Sequence, residues 1–173
     1  MGDADLERLV IDLHQRVRGR YFGKFRGTVT DDGDPHKKGQ VRAHVPEVFG
    51  TEESPWAMPA VPYAGKSRGM IAIPKKGDGI WIEFEAGDIS RPIWSGCWWA
   101  DNEKEDGGET MTLMTSGGHK IVLDDEKNEI RIIHAGGAEI ALTTTDITLK
   151  ASSGQVVISA AGVNVNNGTF LVK

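Results

Sequence analysis

Beyond residue 110 the chain repeats one small unit, two apolar residues flanking a single residue and followed by a few small or polar ones. The pairs are Ile130 and Ile132, Ile140 and Leu142, Ile147 and Leu149, Val156 and Ile158, and Val163 and Val165, at steps of 10, 7, 9 and 7 residues. The spacers, among them His134-Ala-Gly-Gly, Thr143-Thr-Thr and Ala160-Ala-Gly, suit turns. A two-residue alternation predicts short strands, each with one narrow apolar face. One such face cannot enclose a core, and no helical segment is present to cover it. At about 25 cal/mol per Å² of apolar surface, its burial offsets only part of the cost of ordering the strand. Several copies of the chain wound about one axis solve the problem. The apolar pairs then point inward as the trimer core, and the strand edges pair with neighbouring chains. Three copies make an intertwined triangular prism, a triple-stranded β-helix. A single-chain solenoid is the competing arrangement, but its coils need about 20 or more residues each, longer than this period.

The rest of the chain is different in kind. Residues 3–17 predict a short amphipathic helix, with Leu6, Leu9, Val10, Leu13 and Val17 in one apolar stripe. Asp3 and Asp5 at its start and Arg16 and Arg18 at its end suit the helix dipole. A lone helix of this length is marginal in water, so the stripe must dock on its own domain or on a neighbouring subunit. Residues 20–101 are strand-rich. Strands are expected over 21–30, 40–48, 80–85 and 93–99. Val41, Ala43 and Val45 form one face of the second, and Ile80, Ile82 and Phe84 one face of the third. The stretch 47–69 is rich in Pro, Gly and Ser and predicts a long ordered loop. Several short strands with one long excursion suit a small closed barrel of the OB type. Residues 102–109 read as an acidic linker. The expected organisation is therefore all-β: helix 1–19, OB-fold barrel 20–101, linker 102–109 and trimeric β-helix 110–173.

Composition excludes several classes. The formal charge of -5 implies no general attraction to nucleic acid or to an anionic membrane. A single cysteine, Cys97, rules out an intrachain disulfide framework and a cysteine-only zinc site. No apolar run approaches the ~20 residues that span a bilayer, and the acidic start lacks a signal-peptide pattern, so folding in the cytoplasm is expected.

The middle segment carries more specific motifs. Lys38-Gly39-Gln40-Val41-Arg42-Ala43-His44-Val45-Pro46 is followed by Pro55-Trp56-Ala57-Met58-Pro59 and Tyr63-Ala64-Gly65. Then come Ile73-Pro74-Lys75-Lys76-Gly77-Asp78-Gly79-Ile80-Trp81-Ile82-Glu83-Phe84, Gly87-Asp88 and Arg91-Pro92-Ile93-Trp94-Ser95-Gly96. Downstream stands Thr115-Ser116-Gly117-Gly118-His119-Lys120-Ile121-Val122-Leu123-Asp124-Asp125. From about Phe25 onward this series resembles the spike proteins of contractile phage tails, of the baseplate assembly protein V type, and the VgrG spikes of type VI secretion.

The resemblance implies a homotrimeric structural spike and no enzyme. OB domains would form a collar under the baseplate hub, and the needle would contact the target membrane transiently as it is driven through the envelope. Spikes with a fused hub domain differ from this chain, where about 20 residues precede the barrel. A separate hub protein is therefore expected, with the Leu6–Val17 stripe as its contact. The linker has no room for an inserted lysozyme. Some such spikes bind iron through a His-x-His tip, but no histidine follows His134 here. A metal-free end is thus expected, capped at Phe170, Leu171, Val172 and Lys173 by a separate PAAR-type tip protein. The expected location is the baseplate of a virion or injection particle assembled in the bacterial cytoplasm. The alternatives are a type VI effector-delivery spike and an OB-fold binding module.

Other chemistry is poorly supported. His14, His36, His44, His119 and His134 have no metal-ligand spacing and fall in separate segments, so no cofactor or metal is expected. Ser116, His119 and Asp124 crowd into one strand and turn, where a catalytic triad cannot converge. Asp31, Asp32 and Asp34 around Gly33 fall short of a calcium loop and suit a solvated turn. Trp98 and Trp99 are adjacent, so in a strand they face opposite ways, and at least one is expected against a neighbouring chain.

Overall fold

The computed structural model describes residues 3–104 and 110–172. The chain divides into two compact units, Met1–Lys104 and Glu105–Lys173.

In the first unit, α1 (Asp3–Val17) has the expected bounds. Its stripe lies open, with Leu6, Leu9, Val10, Leu13 and Val17 all exposed. The helix ends at Gly19, whose φ of 75° only glycine adopts readily. Beyond it Arg20 and Tyr21 are tied to the 85–87 turn, through Arg20 to Ala86 O and the Tyr21 N–H to Gly87 O.

The barrel is built from β1 (Phe25–Asp31), β2 (Arg42–His44), β3 (Met58–Pro59), β4 (Ala64–Gly65), β5 (Arg68–Gly69), β6 (Gly79–Phe84) and β7 (Pro92–Trp98). Five of these form one sheet in the order β2-β1-β6-β7-β3, with the β3–β7 pair parallel. Just ahead of the two edge strands, Val41 and Ala57 exchange backbone hydrogen bonds of 3.3 and 2.8 Å and join the edges. That junction closes the OB-type barrel. Its core is Val29, Val41, Ala43, Val45, Ala57, Ile80, Ile82, Phe84 and Trp94, which contains both alternating sets expected from the sequence. Tyr21, Phe25 and Phe49 ring Phe84 at centroid distances of 5.6–6.2 Å. Gly79 is there because a Cβ would lie 2.6 Å from the Trp98 ring.

Two expectations are corrected. The first strand starts at Phe25, because residues 20–22 are spent on the 85–87 turn. The stretch 47–69 is no plain loop: it overlaps α2 (Pro46–Phe49), with proline in its first turn, and contains β3, β4 and β5. Ser54, almost fully buried, holds this excursion to β2 by accepting the Ala43 N–H at 3.0 Å and donating to Pro55 O at 2.8 Å. Ser54→Ala strands that amide, so a loss of about 1–3 kcal/mol is expected in denaturant unfolding.

The second unit is one eight-stranded antiparallel sheet in sequence order: β8 (Thr110–Met114), β9 (Lys120–Asp124), β10 (Glu129–Ile133), β11 (Glu139–Leu142), β12 (Asp146–Ala151), β13 (Gly154–Ser159), β14 (Gly162–Val165) and β15 (Phe170–Val172). The β-strand-rich architecture is as expected, but its hydrogen bonding is not. Each strand pairs with its sequence neighbours in the same chain, where pairing between chains was expected. The connections are short enough to return the chain directly, which favours hairpins.

The expected trimer core of this unit lies open in the single chain. Within one chain it is no core: Ile130, Ile132, Ile140, Leu142, Ile147, Leu149 and Ile158 are all exposed, and Val156, Val163 and Val165 are only half-buried. A single sheet has no second layer to lay over its apolar face, so these side chains stay open until another surface meets them.

Candidate functional site and assembly surfaces

Register turns the sequence repeat into a surface. Ile130 stands opposite Leu142 and Leu123, and Ile132 opposite Ile140 and Ile121. The same alignment carries on through Ile147, Ile158 and Val163 in one line and Leu149, Val156 and Val165 in the other. All ten expected core residues therefore lie in two parallel columns on one face of the sheet. The columns extend further than the sequence reading placed them. Met111 and Leu113 join through β8, Ile121 and Leu123 through β9, and Phe170 and Val172 through β15. The same i, i+2 apolar spacing marks these residues too.

The two faces of the sheet are buried the wrong way round for a lone chain. Ile132 is 47% exposed and Ile158, three strands further on, 42%, whereas Asp124 on the opposite face is 8% exposed. Ion pairs lie over that polar face. Arg131 bonds Glu139 at 2.5 Å and lies 3.3 Å from Glu129, and Lys127 bonds Asp124 at 2.9 Å. The Arg131 hydrogen bond holds the Glu139 carboxyl below its ordinary range. The backbone N–H of Lys127, then its ammonium, do the same for Asp124. An apolar face of this extent left open marks an interaction surface. Covering it gains on the order of 1–2 kcal/mol for each half-exposed Ile or Leu.

The other expected contacts are separate. The α1 stripe is exposed in the first unit. Phe170 and Val172 continue the apolar columns, while Leu171 faces the other way beside Asn164 on the last strand, which has one unpaired edge. Lys173 lies outside the described residues. Trp98 donates to Ile80 O at 3.0 Å and belongs to the barrel, whereas Trp99 is 70% exposed and free to meet a neighbour.

Chemical sites do not assemble from the remaining candidates. Ser116 and His119 lie before β9 and Asp124 at its far end, about five residues and roughly 16 Å along an extended strand. The carboxylates of the 31–34 turn are used locally. Asp31 accepts the Gly33 N–H, Asp32 pairs with Lys75, and Asp34 accepts the N–H groups of His36, Lys38 and Gln40. Desolvation pushes the Asp34 carboxyl up, but the donors of Gln40, His36 and Lys38 outweigh it and hold it below its ordinary value. Its contribution to stability is present at neutral pH and fades as pH falls through that depressed value. Asp34→Asn is therefore expected to flatten the acid limb of a thermal-melting profile of the first unit and to lower its midpoint at pH 7. Among the described residues no three His, Cys, Asp or Glu side chains converge as metal ligands. The histidines are not all apart, however. His119 and His134 bring their rings to 4.6 Å, a pairing set by the β9–β10 register and invisible to local spacing.

Comparison with known families decides what this arrangement is. Residues 25–99 match a family model described as the type VI secretion system/phage-baseplate injector OB domain. Residues 110–171 match the phage baseplate V C-terminal trimerisation domain. The chain belongs to the phage baseplate V family of spike proteins. No curated protein matches the chain. The two matched regions contain the barrel and the sheet described above. With a trimerisation domain, the spike is a homotrimer, and its place is the baseplate.

Proposed function

We propose that this spike joins a separate baseplate hub to a PAAR-type tip protein and is driven through the target envelope when the tail sheath contracts, as a mechanical part without catalytic chemistry. The observation that carries the reading is the inverted sheet, apolar where it is open and ion-paired where it is covered. Three such faces turned inward give a dry core whose strand hydrogen bonds run along the needle. Compression along that direction loads every hairpin and leaves no hinge. The α1 stripe is the candidate hub contact, and Leu171 with the unpaired edge of β15 the candidate seat of the tip. A phage or phage-derived particle is favoured over a type VI machine because the trimerisation-domain match is to a phage baseplate family.

Complementation of a particle lacking its spike tests the proposal. The wild-type chain should restore puncture of target cells, read as uptake of a membrane-impermeant dye, and Leu149→Asp should not. Restoration by both would contradict the needle. A second prediction concerns assembly: Leu9→Asp with Leu13→Asp should leave a trimer in solution that is missing from isolated baseplates. Normal incorporation of that variant would remove α1 as the hub contact.

A further inference from the structure

Alternating hairpins give the C-terminal sheet two unlike rims. On the first rim lie the connections 115–119, 134–138, 152–153 and 166–169, and on the second 125–128, 143–145 and 160–161. Closed threefold symmetry is heterologous, so the first rim of each copy must meet the second rim of the next. Rotation about the axis involves no rise. For strands running across that axis, each connection on one rim therefore faces the ends of the same two strands on the other.

At β9 and β10 this juxtaposition is chemical. The strands end on the first rim at His119 and His134, and the 125–128 connection, with Asp125 and Glu126, closes them on the second. Each imidazole accepts a backbone N–H at Nδ1, His119 from Ala135 at 3.3 Å and His134 from Gly136 at 2.9 Å. That places the proton of each neutral ring on Nε2, so the pair offers two N–H donors. The neighbour's turn offers carboxylate acceptors, which are exposed in the single chain.

Two further heights fit by shape. The β13 and β14 ends on the first rim border a depression lined by Ser153, Gly154, Asn166 and Asn167. Facing it on the second rim is the small connection 160–161, Ala-Ala. On the second rim, Asp125, Asn128, Thr143 and Thr144 line another depression at β10 and β11, and the facing connection on the first rim is Ala135-Gly136-Gly137.

We infer that the spike's three sheets meet rim to rim in this unshifted register, with His119 and His134 of each copy against the 125–128 turn of the next. The inference rests on the trimeric reading and specifies its seam. Disulfide trapping in the full chain tests it, with Cys97→Ser removing the native thiol. Glu126→Cys/His134→Cys should convert most of the protein to covalent trimer on a non-reducing gel, and Ala161→Cys/Asn167→Cys should do the same at the second height. Each single variant should run as monomer. A trimer by light scattering that traps through neither pair, or that traps through Thr144→Cys/His119→Cys instead, would overturn the register. A monomer by light scattering before oxidation would overturn the trimeric reading itself.

Discussion

Leu149→Asp should convert the spike from a trimer into monomers. Leu149 lies inside one of the two apolar columns, between Ile140 and Val156, and threefold symmetry places its three copies at one height around the axis. The substitution removes burial worth about 1–2 kcal/mol per half-exposed side chain. It also puts three unpaired carboxylates into a dry core, at several kcal/mol each. The loss is on the order of 10 kcal/mol or more per trimer, beyond what the rest of the interface can absorb. Light scattering should read a mass near 18.8 kDa, one chain. Leu149→Met conserves volume and should remain trimeric. A trimeric Leu149→Asp would mean that the apolar columns are not the core.

Ile82→Ala carries the next largest expected effect, this time in the barrel. Ile82 is fully buried in β6, opposite Phe25 on β1 and Trp94 on β7, so its truncation opens a cavity at the centre of the sheet. Such a change costs about 2–5 kcal/mol. For a unit of this size that is a drop of at least about 10 °C in the barrel's melting transition. Calorimetry should show the barrel transition move while the mass stays that of a trimer. A shift below about 2 °C would show that the closed barrel is not packed around this residue.

What the sequence made legible follows from how local each signal is. The stripe of α1 and the alternations Val41/Ala43/Val45 and Ile80/Ile82/Phe84 are properties of single segments, and the structure keeps them. The repeat beyond residue 110 announces an apolar face that one chain cannot bury. Ile132, Leu149 and Ile158 stand exposed in the single chain for that reason. Pairing partners are not local. Nothing in the spacing of Ile130/Ile132 and Ile140/Leu142 says whether neighbouring strands come from one chain or three, and the hairpin connections decide it. The two-residue strand β3 owes its geometry to tertiary contacts, as Ser54 and the Val41–Ala57 bridge show, and β4 and β5 form only a short local hairpin, so none of the three carries a period of its own. His119 and His134 are 15 residues apart and meet only because β9 and β10 are in register. Asp34 reads as a solvated acidic residue, yet its role is to gather three backbone N–H groups of its own turn.

The mass of the unmodified full chain in solution, by light scattering on a sizing column, tests the central claim most directly. A value three times 18.8 kDa, collapsing when the chain is cut near Asn102, is the predicted result. A stable 18.8 kDa monomer with an intact C-terminal sheet would contradict it, because the apolar columns would then stand in water with nothing to cover them.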